Sequence, residues 1–114
     1  MTKKKIFNIA IVGLGNIGTY LYNFLKKNKN LINNKNNNTF KIKYISAKNK
    51  RKKRKISFRK NLWVDNYMSL TKMKDVDIII ELIGGSDGAA KKLVFSALKN
   101  KKHVITANKA LISK

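Results

Sequence analysis

Three glycines near the N-terminus have a spacing that suits the binding of a phosphate group. Gly13, Gly15 and Gly18 form the pattern G-x-G-x-x-G directly after the apolar run Ile9–Val12. In such a turn the first glycine allows a sharp exit from a strand, the second lets a pyrophosphate approach the backbone, and the third lets the following helix pack closely on the strand. The N–H groups and the dipole at the start of that helix favour a negative charge. The pattern predicts a dinucleotide-binding turn whose other members are Leu14, Asn16 and Ile17.

Two later stretches place polar residues and glycines at strand ends, where open α/β sheets bind ligands. They are Glu81-Leu-Ile-Gly-Gly85 and Val104-Ile-Thr-Ala-Asn-Lys-Ala-Leu111. Together with the glycine turn they would form three loops along one rim of a sheet, which predicts a cofactor crevice there. Glu81 lies in an apolar run, and a buried carboxylate needs hydrogen-bond partners. Whether Glu81 serves the site or only stabilises the loops is left open by the sequence.

Hydrophobic periodicity predicts the elements that must position these residues. Continuous apolar runs indicate strands that are buried on both faces, and apolar stripes at helical spacing indicate amphipathic helices. The predicted strands are residues 5–12, 39–47, 77–83 and 103–106, with helices at 16–27, from Ser86 or Asp87 to about residue 100, and from 108 onwards, and one or two helical turns at 67–72. Helices between strands of this kind make right-handed crossovers. The predicted fold class is α/β, with a Rossmann-type open, mostly parallel sheet and helices on both faces.

Several smaller assignments accompany this fold. In the first helix the residues predicted to face the core are Ile17, Tyr20, Leu21, Phe24 and Leu25, and in the helix before the last strand they are Ala90, Leu93, Val94 and Ala97. The Asn-rich segment 28–38 and the basic segment 48–60 are predicted to be loops. Residues 62–64 are a candidate short strand in which Trp63 packs over the sheet edge. His103, the only histidine, is predicted to be a surface residue without a catalytic role.

The chain is strongly basic, with a formal net charge of +22 from 27 Lys and Arg residues against 5 Asp and Glu residues. A nucleic-acid-binding function and a compositional bias both account for this charge. Lysine far outnumbers arginine, and asparagine and isoleucine are abundant, as a genome of low GC content would produce in every protein. Dedicated nucleic-acid surfaces rely more on arginine and exposed aromatic residues. We therefore favour compositional bias and do not expect nucleic acid as a partner.

The length and the residue types of the chain limit its number of domains and exclude several kinds of site. The 114 residues suffice for one domain with one core. Because the sequence has no cysteine, disulfides, thiolate metal sites and a cysteine nucleophile are excluded, and no metal site is predicted. No stretch approaches the ~20 apolar residues of a membrane span, and the N-terminus lacks the apolar region of a signal peptide. We expect a cytoplasmic protein that does not bind membranes.

Three motifs together resemble one known family. G-L-G-N-I-G, E-L-I-G-G and T-A-N-K-A-L have the order and spacing of the nucleotide-binding domain of homoserine dehydrogenase. The segments Ser46-Ala47-Lys48 and Trp63-Val64-Asp65 are also similar to that family, so the resemblance covers nearly the whole chain. T-A-N-K is the most specific of these motifs, because sugar-type oxidoreductases of similar fold carry E-K-P near this position.

The resemblance implies an enzyme that interconverts L-aspartate 4-semialdehyde and L-homoserine by hydride transfer with a nicotinamide cofactor, in threonine, methionine and isoleucine biosynthesis. It implies that residues 13–18 hold the pyrophosphate and that Gly84, Gly85 and Thr106 border the nicotinamide ribose. Lys109 would lie between cofactor and substrate as a catalytic and cofactor-contacting residue. There its compact cation would hold charged groups of the substrate or polarise the carbonyl. The whole protein is expected to be a homo-oligomer that acts on this small-molecule substrate.

The chain departs from the family's pattern at two places. The family's substrate domain, which carries a proton-donating lysine and substrate carboxylates, does not follow Lys114. Residues 1–114 are therefore expected to be a dinucleotide-binding domain that is truncated at its C-terminal end and inactive by itself. In addition, no Asp or Glu ends the second strand, where NAD-specific folds often place an acid for the ribose 2′-hydroxyl. Lys48 and the basic residues after it favour NADP, with NAD as the alternative cofactor.

Two other functions remain open from the sequence. One is another Rossmann-fold dehydrogenase, which acts on a different amino acid or an aldehyde. The other is a non-catalytic basic module that binds nucleotides or nucleic acid.

Overall fold

The computed structural model of this chain describes residues 5–28, 38–47, 60–83 and 88–107. Within these ranges the chain forms, in order, β1 (Lys5–Val12), α1 (Asn16–Lys27), β2 (Asn38–Ser46), two 3-10 helices (Lys60–Leu62 and Tyr67–Lys72), β3 (Ile78–Glu81), α2 (Ala89–Lys99) and β4 (His103–Thr106). Strand β1, helix α1, the second 3-10 helix and strand β4 have the bounds that hydrophobic periodicity predicts.

The strands form one parallel sheet in the order β2-β1-β3-β4. On the other side of β2 from β1, Ile45 forms a parallel bridge with Trp63. This bridge occupies the place of a further strand, so the spatial order corresponds to the 3-2-1-4-5 order of Rossmann folds. The strand order reverses between β1 and β3, which is where sheets of this type open a ligand crevice. The predicted Rossmann-type α/β class is confirmed.

Helices cover both faces of the sheet because alternate residues of β1 point in opposite directions. On one face, Ile9 and Ile11 belong to a buried cluster with Tyr22 of α1. On the other face, Ala10 and Val12 belong to a second cluster, to which α2 contributes Leu93 and Ala97 and the second 3-10 helix contributes Leu70. The central strand is therefore buried on both sides, which explains why its sequence is continuously apolar rather than alternating.

Asp77 fixes the register of three strands just before β3 begins. Its carboxylate accepts a hydrogen bond from the Asn8 N–H at 2.8 Å, and its own N–H donates to the Asn8 carbonyl at 2.9 Å. On the other side, the Asp77 carbonyl accepts from the His103 N–H at 3.0 Å. These bonds tie one end of the sheet together, so that β1, β3 and β4 reach the opposite rim in register.

Two tyrosines pack on opposite faces of the sheet as neutral phenols. The Tyr44 hydroxyl donates to the Asp75 carboxylate at 2.5 Å, and this bond, together with burial and the negative charge, raises the pKa of Tyr44. Burial raises the pKa of Tyr22 on α1. Both side chains therefore remain protonated at neutral pH and contribute packing rather than charge.

The inward face of α1 differs from the predicted one. Ile17, Tyr20 and Phe24 were predicted to be core residues, but they are 66%, 69% and 44% exposed. Gly18 and Tyr22 are buried instead. The physical reason is the contact of Gly18 with the glycine turn, which directs the face containing positions 18, 22 and 25 toward the sheet. The prediction holds only for Leu21 and Leu25, which are partly buried against the core.

Several element boundaries also differ from the predicted ones. Strand β3 covers only Ile78–Glu81 instead of residues 77–83, and just beyond its end the Leu82 N–H still donates to the Val12 carbonyl at 2.7 Å. The N-cap of α2 is Gly88, with φ +96° and no side-chain capping bond, rather than Ser86 or Asp87. The predicted strand at 62–64 is reduced to the Trp63 bridge, and Trp63 itself is 9% exposed and packs in the core as predicted.

The remaining assignments divide into confirmed ones and ones that the structure does not describe. The four residues predicted to face the sheet from α2 are buried, and His103 is exposed. The loop predicted at 28–38, the basic loop at 48–60 and the helix from 108 onwards lie largely or wholly outside the described residues. In the described part of the chain, no helix has the length and apolarity needed to cross a lipid bilayer.

Candidate functional site

The carboxyl ends of three parallel strands lie side by side on one rim of the sheet. Val12 at the end of β1 pairs with Glu81 at the end of β3, and Glu81 pairs with Thr106 at the end of β4. The glycine turn after β1, the first residues after β3 and the end of β4 therefore share this rim, as the sequence predicts. We call this group of loops the β1/β3/β4 rim.

Gly13 packs the turn after β1 directly against the chain that leaves β3. Its φ of +104° is one that side chains other than glycine rarely adopt. A β-carbon at this position would lie less than 3.0 Å from the carbonyl group of Leu82 and the nitrogen of Ile83. The Gly13 N–H also donates to the Ser46 carbonyl at 2.8 Å. The glycine therefore serves the sharp turn and brings the ends of β1, β2 and β3 together.

Gly18 brings α1 against the same turn. A β-carbon on Gly18 would collide with the carbonyl oxygen of Gly13, so only glycine allows this approach. The helix is fastened at its start, where the Thr19 N–H donates to the Gly15 carbonyl at 2.9 Å. The Thr19 hydroxyl donates to the Leu14 carbonyl at 3.1 Å. The turn is thus fixed between strand and helix before any ligand binds.

Gly15 differs from the other two glycines because the fold does not require it. Its φ of −73° and ψ of −157° are open to any residue. A β-carbon there would meet nothing within 4 Å. Gly15 is the N-cap of α1, makes no side-chain capping bond, and is followed by the exposed residues Asn16 and Ile17. The open space lies in front of first-turn N–H groups that have no acceptor within the helix, which is an arrangement that binds phosphate.

The Glu81 carboxylate connects the residues that follow β3 with the end of β4. Glu81 is fully buried, with 0% of its surface exposed. One carboxylate oxygen accepts from the Ile83 N–H at 2.7 Å, and the other accepts from the Thr106 hydroxyl at 2.5 Å. The Glu81 carbonyl accepts from the Ala107 N–H at 3.4 Å. The partners of Glu81 are therefore residues of the β1/β3/β4 rim.

The structure describes some of the predicted site residues and not others. Residues 13–18 lie together at the rim, although the side chain of Leu14 is buried in the core. The Thr106 hydroxyl is directed to Glu81. Their proposed contacts with a cofactor stay predictions. The predicted site residues outside the described part of the chain are Lys48, Gly84, Gly85 and Lys109.

Ser46 supports the rim, a role that the sequence analysis did not predict. It is fully buried at the end of β2, and its hydroxyl donates to the Val64 carbonyl at 2.5 Å while its carbonyl accepts from Gly13. It thus joins the glycine turn to the segment that contains the Trp63 bridge. The indications in the sequence were a small polar residue at the end of an apolar strand and the family resemblance of Ser46-Ala47-Lys48.

Residues 13–114 match the family model described as the NAD-binding domain of homoserine dehydrogenase. The chain belongs to this family. It is 33% identical over 109 residues to a homoserine dehydrogenase of Methylobacillus glycogenes and 34% identical over 109 residues to one of Neisseria gonorrhoeae. Each alignment covers 96% of this chain, but only 26% and 25% of the respective relative. The chain thus spans about a quarter of the length of these homoserine dehydrogenases.

Solved structures of homoserine dehydrogenases have the same fold over this region. The Staphylococcus aureus enzyme superposes with a TM-score of 0.82 at 35% identity, over 92% of this chain and 27% of that one. The Thiobacillus denitrificans enzyme gives a TM-score of 0.83 at 26% identity, over 99% of this chain and 26% of that one. The described sheet and helices are therefore those of the NAD-binding domain of this family.

Proposed function

We propose that this chain is the NAD(P)-binding portion of a homoserine dehydrogenase, which interconverts L-homoserine and L-aspartate 4-semialdehyde. In the oxidation, hydride leaves the carbinol carbon and a proton leaves the hydroxyl oxygen. A bound nicotinamide would supply the hydride acceptor. The observation that carries the proposal is the open space in front of Gly15 at an uncapped helix start, in a chain of the homoserine dehydrogenase NAD-binding family.

The charge pattern at the rim supports a dinucleotide rather than a cationic ligand. Helix α1 has no acidic residue in its first turn, so nothing there opposes an anion at its positive dipole end. The two basic residues of its last turn, Lys26 and Lys27, lie at the other end of the helix, where the dipole favours positive charge. The pyrophosphate would lie against the N–H groups of the first turn, in the space that a side chain at position 15 would otherwise fill.

Lys109 is the residue to which we assign the substrate-side role. It follows Thr106 by three residues, and Thr106 ends β4 at the same rim. A lysine ammonium near the nicotinamide would hold a charged group of the substrate or stabilise the negative charge that develops on the carbonyl oxygen. The proton of the hydroxyl requires a separate acid or base, for which we propose the substrate domain of the whole protein.

Titration with NADPH tests this proposal directly. The 114-residue chain should enhance and blue-shift the fluorescence of NADPH, and the signal should saturate at a stoichiometry of one. Because a chain of charge +22 attracts any anion, tripolyphosphate at equal concentration is the matched control. If the site is specific, NADPH should still bind at 150 mM salt and in the presence of tripolyphosphate. Binding that disappears in both conditions would reduce the chain to a general polyanion binder, which is the alternative function.

NADPH should bind more tightly than NADH. The end of β2 presents Ser46 and Ala47, followed in the sequence by Lys48, and no carboxylate that would repel a 2′-phosphate. A direct contact between Lys48 and that phosphate would be worth about tenfold in affinity. Lys48→Glu should therefore reverse the preference in paired fluorescence titrations.

The matched control for this prediction is Lys99→Glu, because it changes the net charge equally at the far end of α2. It should lower the affinities for NADPH and NADH by the same small factor and leave their order unchanged. Equal affinities in the parent chain, or equal effects of the two substitutions, would show that the basic residues after β2 do not select the cofactor.

A further inference from the structure

We infer that Glu81 is a positioning residue, which holds Ile83 after β3 and Thr106 at the end of β4 in place beside the nicotinamide half of a bound dinucleotide. The inference rests on the proposed function, and it adds a role for a side chain that would otherwise be only a buried carboxyl group. Glu81 does not face the ligand itself. It acts through Ile83 and Thr106, the two residues whose polar hydrogens its carboxylate accepts.

Stability alone gives no reason for a glutamate at this position. Glu81 is fully buried at the end of a strand whose other residues are Ile78, Ile79 and Ile80. Removing a carboxylate from water is costly, and apolar residues of similar volume often stabilise a protein as well or better. Both carboxylate oxygens accept hydrogen bonds. The polar side chain therefore stands where it orients two donors.

The two donors lie at the positions that shape the crevice. The Ile83 nitrogen belongs to the peptide unit against which Gly13 packs, so the bond to Glu81 fixes the loop after β3 relative to the glycine turn. Thr106 ends β4, three residues before Lys109. One carboxylate thus links the residue that precedes Gly84 and Gly85 in the sequence with the strand end that precedes Lys109.

The position of Glu81 predicts an effect on one half of the ligand only. The strand order reverses between β1 and β3, so a dinucleotide that spans this point has one half on the β1–β2 side and the other on the β3–β4 side. The β1–β2 side keeps its own supports, namely the Gly13–Ser46 hydrogen bond and the contact of Gly18 with the turn. Losing the carboxylate should therefore disturb the nicotinamide half and spare the adenosine half.

Two substitutions separate positioning from general packing. Glu81→Met keeps the length of the side chain and removes the two oxygens that accept from the Ile83 N–H and the Thr106 hydroxyl. Glu81→Gln keeps one oxygen for the Ile83 N–H, and its NH2 group donates to Thr106, which reverses the direction of the second bond. The glutamine variant should therefore retain most of the affinity for NADPH that the methionine variant loses.

The experiment compares two ligands on the complete 114-residue chain. NADPH is titrated beside adenosine 2′-phosphate 5′-diphosphate, which contains the pyrophosphate but lacks the nicotinamide riboside. For Glu81→Met we expect about tenfold weaker binding of NADPH and less than about twofold change for the truncated ligand. For Glu81→Gln we expect about threefold weaker binding of NADPH and no change in the binding of the truncated ligand. If Glu81→Met does not fold, the same ligand comparison on Glu81→Gln tests the inference, because this variant should weaken the binding of NADPH and not that of the truncated ligand.

Thr71→Val supplies the matched control. Thr71 is fully buried, its hydroxyl bonds to the Met68 carbonyl at 2.8 Å and to the Ser96 hydroxyl at 2.7 Å, and it lies in the core under α2 rather than at the rim. Its loss removes buried hydrogen bonds without touching the crevice, so both ligands should bind as they do to the parent chain.

Four results would overturn the inference. Equal weakening of both ligands by Glu81→Met would indicate general loosening of the fold, and unchanged binding of both would show that the carboxylate positions nothing that the ligand needs. A parent chain that binds the truncated ligand but gains nothing from the nicotinamide riboside would refute the positioning role alone. A parent chain that binds neither ligand would instead refute the proposed function, and the inference with it.

Discussion

Gly15→Val should abolish the binding of NADPH and leave the fold of the chain intact. The backbone angles of Gly15 suit any residue, and a side chain there would meet no atom of the protein within 4 Å. The substituent would instead occupy the space in front of the α1 N-terminus, where we place the pyrophosphate. Losing several hydrogen bonds to a charged group corresponds to a decrease in affinity on the order of 100-fold or more.

The cost of this substitution to the fold should be small. Valine is a poorer N-cap than glycine, which amounts to about 1 kcal/mol of unfolding free energy. Asn66→Ala is a suitable control, because the Asn66 side chain caps the second 3-10 helix by accepting from the Met68 N–H at 3.0 Å. It should destabilise the chain by a similar amount and leave the affinity for NADPH unchanged.

Fluorescence titration measures the affinities of these variants, and thermal unfolding followed by circular dichroism measures their stabilities. We expect the Gly15→Val chain to have a melting temperature close to that of the Asn66→Ala chain but not to bind NADPH. If Gly15→Val retained the parent affinity, the glycine pattern would be a structural turn only, and the assignment of the pyrophosphate to this position would be wrong.

The sequence predicted the central strand and the glycine turn because each is a local property of a few residues. An uninterrupted apolar run such as Ile9–Val12 suits only a strand that is covered on both faces, and the sheet covers β1 in this way. The turn follows from glycine spacing, and both Gly13 and Gly18 make the close approaches that this spacing implies. In each case no knowledge of distant residues was needed.

The orientation of α1 could not be read from its periodicity alone. The stripe of Ile17, Tyr20 and Phe24 is as apolar as the face that contains Tyr22, and both have helical spacing. The choice between them depends on the contact of Gly18 with the Gly13 carbonyl, which fixes the rotation of the helix about its axis. The close packing already predicted for Gly18 was the signal that would have identified the buried face.

The partners of Glu81 depended on the register of the sheet and so lay beyond sequence reasoning. Its donor Ile83 lies two residues away in the sequence, whereas its donor Thr106 lies 25 residues away. Their meeting requires β3 and β4 to pair as Glu81 with Thr106, a register that the hydrogen bonds of Asp77 fix at the opposite end. The sequence identified a glutamate near a strand end, and the structure shows which groups donate hydrogen bonds to it.

Gly18→Ala should destabilise the chain strongly, although alanine is the better helix former. In an exposed helix this exchange gains about 1 kcal/mol. Here the added β-carbon would overlap the Gly13 carbonyl oxygen, which belongs to the backbone of a turn that cannot move aside easily. Gly13 is itself held by the Ser46 carbonyl and by its packing on Leu82 and Ile83. We expect a net loss of about 2 kcal/mol or more, as for other overpacked cores.

A loss of this size lowers the melting temperature by about 8–16 °C in a chain of this length. Gly15→Ala is the matched control, because it adds the same methyl group three residues earlier, where no atom lies within 4 Å. Its effect on stability should stay below about 1 kcal/mol. Thermal and urea unfolding of the two variants beside the parent chain measure the difference.

The same substitution should also weaken the binding of NADPH, because α1 can relieve the overlap only by moving away from the turn and carrying its first-turn N–H groups with it. A Gly18→Ala chain with the stability and the affinity of the parent would contradict this account. It would mean that the contact between α1 and the glycine turn is loose, and that the position of the helix start does not determine how tightly the pyrophosphate is held.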